Sequence, residues 1–281
     1  MWGNVLRHRW VARQLLRRLP HLVRGHAASR RLAGASHRRA RPHADDNRFR
    51  RYFLEHRDGP GIWKWLHYFD AYDRHLSRFI GREVHIAEVG VYSGGSLAMW
   101  RDVLGPRCHV YGIDVAPECK AYENEYTRIF IGDQADRAFW ARFRDDVPTL
   151  DIVIDDGGHE VEQQVVTLEE TLPHLASGGV FMCEDVHGAF NPFAAYMHGL
   201  HDALNAVGPR ADAEAPVRYA YEGTPFQRLV ASVHQYPFLT VIERSHDDSS
   251  QLVSVAHGTE WQPQSFWKSG AVAAGRPPGA N

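Results

Sequence analysis

No aspartate or glutamate occurs in the first 44 positions of this 281-residue chain, and lysine is scarce throughout, at Lys64, Lys120 and Lys268 only. The three cysteines, Cys108, Cys119 and Cys183, are odd in number and form neither a CxxC pair nor a zinc-ligand spacing. That excludes a disulfide framework and a cysteine-type zinc site, and it favours a reducing, cytoplasmic setting. No stretch reaches the ~18 to 20 apolar residues that cross a bilayer, so no stable membrane insertion is expected. A formal net charge of −2 excludes a chain-wide attraction to nucleic acid.

What is present points to a globular α/β chain. A 44% hydrophobic content, 11% of the chain being aromatic, supplies a real core at a length that suits one substantial domain with appendages. The acid-free start carries many arginines, from Arg7 to Arg41. It reads as a basic, disordered or loosely helical tail over residues 1–46; a targeting segment or a tail for anionic surfaces shares that composition. Arginine in place of lysine, with abundant Ala, Gly and Pro, fits a GC-rich bacterial genome. Residues 261–281 are small residues, Gly and Pro, and read as a second disordered tail.

Residues 47–82 form an aromatic-rich helical cap, with an amphipathic helix expected over Trp63–Ile80 and core packing for Trp63 and Trp65. His67, Tyr68 and Tyr72 are placed to cover a ligand. Five apolar runs then alternate with helical patterns: His85–Val91, His109–Val115, Arg128–Gly132, Asp151–Asp155 and Gly179–Asp185. The rhythm predicts a Rossmann-like, doubly wound, mostly parallel seven-stranded sheet, in a domain over residues 83–260. Residues 187–225 read as an acceptor-binding lid with the aromatics Phe190, Phe193, Tyr196, Tyr219 and Tyr221. Phe226–Gln235 is expected to be helical, and Phe238–Arg244 with Gln251–His257 to form an antiparallel hairpin at one sheet edge.

In such sheets ligands bind beyond the carboxyl ends of the strands. Each strand here ends in polar residues. Glu88 precedes the turn Gly90-Val91-Tyr92-Ser93-Gly94-Gly95, which is not a GxGxxG fingerprint but allows close backbone approach. Asp114, about twenty residues on, suits ribose hydroxyls, and Asp133-Gln134 suits an adenine edge. The fourth and fifth strands end in Asp155-Asp156-Gly157-Gly158-His159 and Glu184-Asp185. Clustered strand-end carboxylates are either solvated caps or a site for a hard cation such as Mg²⁺, and zinc would ask for His or Cys.

In order and spacing, EVGVYSGGSLAMW, GIDV, GDQAD, DIVIDDGGHE and GGVFMCEDV resemble class I S-adenosylmethionine-dependent methyltransferases, over roughly Trp63 to His257. More narrowly they are similar to the rhamnosyl O-methyltransferase and cephalosporin-hydroxylase family, which includes metal-dependent sugar O-methyltransferases of the mycinamicin and tylosin pathways. The resemblance implies that Glu88, Gly90 and the turn Tyr92, Ser93 and Gly94 hold the methionine part of S-adenosylmethionine. It implies that Asp114 binds ribose and that Asp133 and Gln134 face adenine, with Asp155 supporting that side of the site. It further implies Mg²⁺ on Asp156, Glu184 and Asp185, His159 as general base, and a small glycosylated acceptor; homo-oligomerisation stays open. His187 is a further polar contact. An oxygenase related to the cephalosporin hydroxylases is the rival enzyme, though no HxD…H iron motif occurs here. A non-catalytic protein that keeps the cofactor fold is the other rival.

Overall fold

The computed structural model describes residues 15–29, Leu32 and residues 46–212, 217–246 and 251–260. The expected C-terminal tail lies outside these residues, as does most of the N-terminal one. The chain divides into two compact units, Met1–Asp45 and Asp46–Asn281. In the first, residues 15–29 form a helix, α1, whose Leu15, Leu16, Leu19, Leu22 and Val23 are all exposed. Among the described residues no helix is long and apolar enough to cross a membrane.

The second unit holds a seven-stranded sheet in the order β3-β2-β1-β4-β5-β8-β7. The strands are β1 (Val84–Val89), β2 (Cys108–Asp114), β3 (Thr127–Ile131), β4 (Leu150–Asp155), β5 (Leu175–Cys183), β7 (Val230–Tyr236) and β8 (Leu239–Arg244). β1 to β5 are parallel; β8 runs antiparallel to β5 and to β7. Strand order reverses between β1 and β4, which opens a crevice at their carboxyl ends.

Both faces of the sheet are buried, so successive residues of one strand feed different cores. Ile86, Ile152, Ile154 and Met182 pack with Phe49, Tyr72 and Trp100 on one face. Ala87, Val153 and Phe181 pack with Trp140, Phe143 and Phe193 on the other. The first face is covered by α2 (Arg48–Glu55), α3 (Tyr68–Leu76) and α4 (Gly95–Leu104). Phe49 reaches Trp100 at 6.0 Å and Tyr72 at 6.1 Å between ring centroids. The second is covered by α5 (Arg137–Asp146), α6 (Val161–Thr171) and α7 (Pro192–Leu204). Asp136 caps α5 through the Ala138 amide, and Asn191 caps α7 through the Ala194 amide. Phe193 and Met197 of α7 are core residues, so the segment expected as a lid contains a packed helix.

Three local expectations are corrected. The cap helix begins at Tyr68 instead of Trp63, because residues 62–65 form an irregular strap, followed by a turn at 66–67, with Lys64 inward and Trp63 89% exposed. Neither Trp63 nor Trp65, itself 48% exposed, is therefore a core residue. Phe226–Gln235 is helical only over α8 (Pro225–Leu229), capped by Thr224, and then becomes β7. Its apolar residues at 226, 229, 230 and 233 have helical spacing, but pairing with β8 overrides it, Val233 lying opposite Ile242. The edge hairpin is thus β7–β8, turning at Pro237-Phe238. Gln251–Val255 is β9 and pairs instead with β6 (Val217–Glu222) in a separate two-stranded sheet.

Candidate active site

A cavity of 830 Å³ opens at the switch point, bordered by the ends of β1, β2, β4 and β5 and by the strap before α3. Its floor exists because of glycine. Gly90 has φ +90°, and a β-carbon there would meet the Asp156 carbonyl oxygen at 2.0 Å. A β-carbon on Gly157 would meet Gln134 Oε1 at 1.9 Å, and one on Gly95 would meet the Pro60 carbonyl oxygen at 2.4 Å. Gly95 thus lets the strap lie directly over the start of α4.

Asp114 ends β2 and anchors the turn. Its Oδ2 accepts the amides of Val91 and Tyr92 at 2.9 and 3.1 Å, and its Oδ1 accepts that of Ala116 at 2.9 Å. Partial burial would raise this carboxyl, but the three amides outweigh it and hold it below the usual range. Gln134 is buried and donates to Asp155 Oδ1 and Thr167 Oγ1, both at 3.0 Å, while its Oε1 accepts the Gly158 amide at 2.8 Å. This pins the Gly157-Gly158 turn against the end of β3. Burial pushes the Asp155 carboxyl up to about 7 against those hydrogen bonds.

Of the sequence-predicted cofactor residues, Gly90, Tyr92, Asp114 and Gln134 line the cavity. Glu88 and Asp155 lie beneath it, buried to 0% and 1% exposure. Ser93, Gly94 and Asp133 are not brought to it. A β-carbon on Gly94 would meet the Tyr122 ring at 2.6 Å, and Asp133 Oδ1 accepts the Ala135 amide.

Of the three expected metal ligands, Asp156 and Asp185 converge with His159, and Glu184 does not. His159 Nε2 lies 3.9 Å from Asp156 Oδ1 and 3.6 Å from Asp185 Oδ2, and these three donor atoms lie within 4.8 Å of one another. His159 and Asp185 both adopt left-handed backbone, φ +58° and +56°. Such strain costs of order 1–3 kcal/mol and concentrates at working sites. Asp185 Oδ1 accepts Trp65 Nε1 at 3.0 Å and the Tyr68 hydroxyl at 2.8 Å, and His187 Nε2 stands 3.5 Å away. Glu184 turns inward, to the Tyr72 hydroxyl and to Lys64. Burial pushes its carboxyl up to about 8, with Lys64 opposing.

Sequence reasoning passed over Lys64. Its side chain is 2% exposed, and its Nζ donates to Asp156 Oδ2 at 2.6 Å, Glu184 Oε2 at 3.0 Å and Glu88 Oε1 at 3.3 Å. Burial would favour the neutral amine, but Glu184, Asp156 and Glu88 together outweigh it and keep the ammonium charged. The one available signal is its rarity in an arginine-biased chain. Of the lid aromatics, Phe193 is buried in the core, Tyr196 donates to Glu169, and Phe190 is exposed; none of the five lines the cavity. A separate cluster of His75, His234 and Glu243 lies outside it, tied to Tyr236, Arg78 and Ser232.

Residues 87–186 match the profile of a methyltransferase domain, and this span contains every strand end that borders the cavity. That span is a methyltransferase domain. Among curated methyltransferases it is 33% identical over 202 residues to 8-demethyl-8-alpha-L-rhamnosyl tetracenomycin-C 2'-O-methyltransferase of Streptomyces olivaceus, covering 67% of this chain and 53% of that one. It is 34% identical over 224 residues to mycinamicin VI 2''-O-methyltransferase of Micromonospora griseorubida, covering 72% and 53%. The chain therefore spans about half the length of the curated relatives it matches. The fold is also that of the MycE methyltransferase of the mycinamycin pathway, solved with Mg and SAH, at a TM-score of 0.58 and 24% identity over 74% of this chain and 56% of that one.

Proposed function

We propose that this methyltransferase moves a methyl group from S-adenosylmethionine to a sugar hydroxyl of a glycosylated natural product or glycolipid, with Mg²⁺ as its metal. The names of the tetracenomycin and mycinamicin relatives support the sugar hydroxyl as acceptor, and the Mg and SAH bound to the mycinamycin enzyme support the cofactors. His159 carries the reading: its Nε2 faces two carboxylate oxygens in the same cavity whose far side is built by Asp114 and Gly90.

The residues fit both groups. Hard oxygen donors on Asp156 and Asp185 suit Mg²⁺ and would not select zinc. The cavity volume suits a nucleoside-sized ligand, and the backbone approach at Gly90 leaves room for it. When bound, S-adenosylmethionine supplies an activated methyl and the divalent ion a Lewis acid that makes a hydroxyl easier to deprotonate. His159 accepts the hydroxyl proton at Nε2. Asp114, held ionised by amides, accepts from ribose hydroxyls at its remaining lone pair. Gln134 holds the Gly157-Gly158 turn that aims Asp156 and His159. The exposed indole of Trp63 stands at the cavity mouth, where an apolar sugar face can stack on it.

Incubating cell extract with the protein, Mg²⁺ and S-adenosylmethionine carrying a deuterated methyl tests the assignment. Mass spectrometry is expected to find a glycosylated product heavier by one labelled methyl; labelled protein or nucleic acid in its place contradicts the acceptor.

A further inference from the structure

Resting on none of the chemistry above, we propose that α1 is an interfacial helix that lays the chain on the surface of an anionic lipid bilayer. Leu15, Leu19 and Leu22 recur at i, i+4 and i+7, and Leu16 and Val23 fall beside them on the same side of the helix. All five are between 52% and 69% exposed. Arg17 and Arg24, seven residues apart, stand on the opposite side, and both are exposed. A stripe of leucines backed by arginines suits a helix lying in the membrane plane, its apolar face among the acyl chains and its cations among the headgroups. The helix is not long and apolar enough to span a bilayer, so the contact is peripheral and reversible.

Two demands select this occupant. Five large apolar side chains on one face ask for an apolar cover, and the segment around them asks for negative charge. The first 44 positions hold eleven arginines, from Arg7 to Arg41, and no aspartate or glutamate. A second copy of α1 would cover the leucines, but it would set arginine against arginine with no carboxylate in the segment to pair them. Nucleic acid would meet the arginines and leave the leucines in water. The arginines also flank α1 in sequence: Arg7, Arg9 and Arg13 precede it, and five from Arg30 to Arg41 follow it. A broad charged surface meets that whole spread, whereas a protein groove fitted to one helix meets only its middle. A bilayer with anionic headgroups satisfies both demands, each arginine near the surface adding to the attraction.

Vesicles of phosphatidylcholine with about a quarter phosphatidylglycerol serve as the probe, sedimented with the full chain. The chain is expected to pellet with them, and its binding to weaken by about tenfold or more on phosphatidylcholine alone or when salt is raised from about 0.1 to about 0.5 M. Leu19→Gln with Leu22→Gln removes apolar surface at constant charge, and Arg17→Gln with Arg24→Gln removes charge alone. Each pair is expected to weaken vesicle binding by about tenfold or more. Calorimetric binding of S-adenosylhomocysteine should be the same in both double variants as in wild type, which shows that the methyltransferase domain is intact. The inference is overturned if the chain stays in the supernatant, or if it pellets equally well with phosphatidylcholine alone. It is overturned too if the leucine variant pellets like wild type, which would leave only a charged tail. An oligomer seen by sedimentation velocity without vesicles, and dissolved by the leucine substitutions, would assign the apolar face to a second copy instead.

Discussion

A β-carbon on Gly90 would stand 2.0 Å from the carbonyl oxygen of Asp156. The turn that leaves β1 and the segment that leaves β4 are therefore in backbone contact at the centre of the cavity. The Asp156 amide in turn donates to the Val89 carbonyl at 3.0 Å. Gly90→Ala forces these segments apart and places a side chain at φ +90°. It is expected to destabilise the protein by roughly 2–4 kcal/mol in urea denaturation and to abolish binding of S-adenosylhomocysteine.

His159 is 38% exposed in its side chain, so its removal leaves no buried void. His159→Ala is expected to lower the rate of methyl transfer by about 10²–10⁴-fold, the usual contribution of a general base. The dissociation constant of S-adenosylhomocysteine and the thermal midpoint should stay near wild type. Transfer at an unchanged rate would leave His159 without a chemical role.

Asp114 receives three backbone amides, and an asparagine offers only one acceptor atom to them. Asp114→Asn turns an amide donor toward amide donors. It is expected to cost about 1–3 kcal/mol of stability and to weaken S-adenosylhomocysteine, because the Val91-Tyr92 turn loses its anchor. Chemical denaturation and calorimetry on the same variant separate the two effects.

Outside the cavity, Glu243 predicts how stability follows pH. Burial alone would raise its carboxyl, but His75, Arg78 and Ser232 bring it from 4.5 to about 2. A carboxyl held lower in the folded state stabilises that state above the unfolded value, and the contribution is lost as pH falls from 4.5 toward 2. His75 is held below its usual 6.5, chiefly by burial, so the folded state resists its protonation and stability also falls as pH drops below 6.5. Urea midpoints are therefore expected to decline on acidification through both windows. Glu243→Gln should flatten the lower one.

Much of this was legible in the chain because the relevant signals are local. Ile152, Val153 and Ile154 are apolar on consecutive positions because both faces of β4 are buried, and the polar run Asp155 to His159 starts where the sheet stops. Asp156, His159, Glu184 and Asp185 could be placed together because all four follow parallel strands that end at one edge. Lys64 could not, since its partners lie 24, 92 and 120 residues away and only the folded sheet collects them. The irregular strap before α3 goes with the same long-range contacts of Lys64, which no spacing of Trp63, Trp65 and Leu66 records. β7 was hidden by a true helical spacing, overridden by its pairing with β8.

Calorimetric titration of the chain with S-adenosylhomocysteine tests the central claim most directly. The predicted result is saturable binding at one site per chain, retained in His159→Ala and lost in Gly90→Ala. A flat titration of the folded wild-type protein, or binding that survives Gly90→Ala unchanged, would contradict the assignment of the switch-point cavity as the cofactor site.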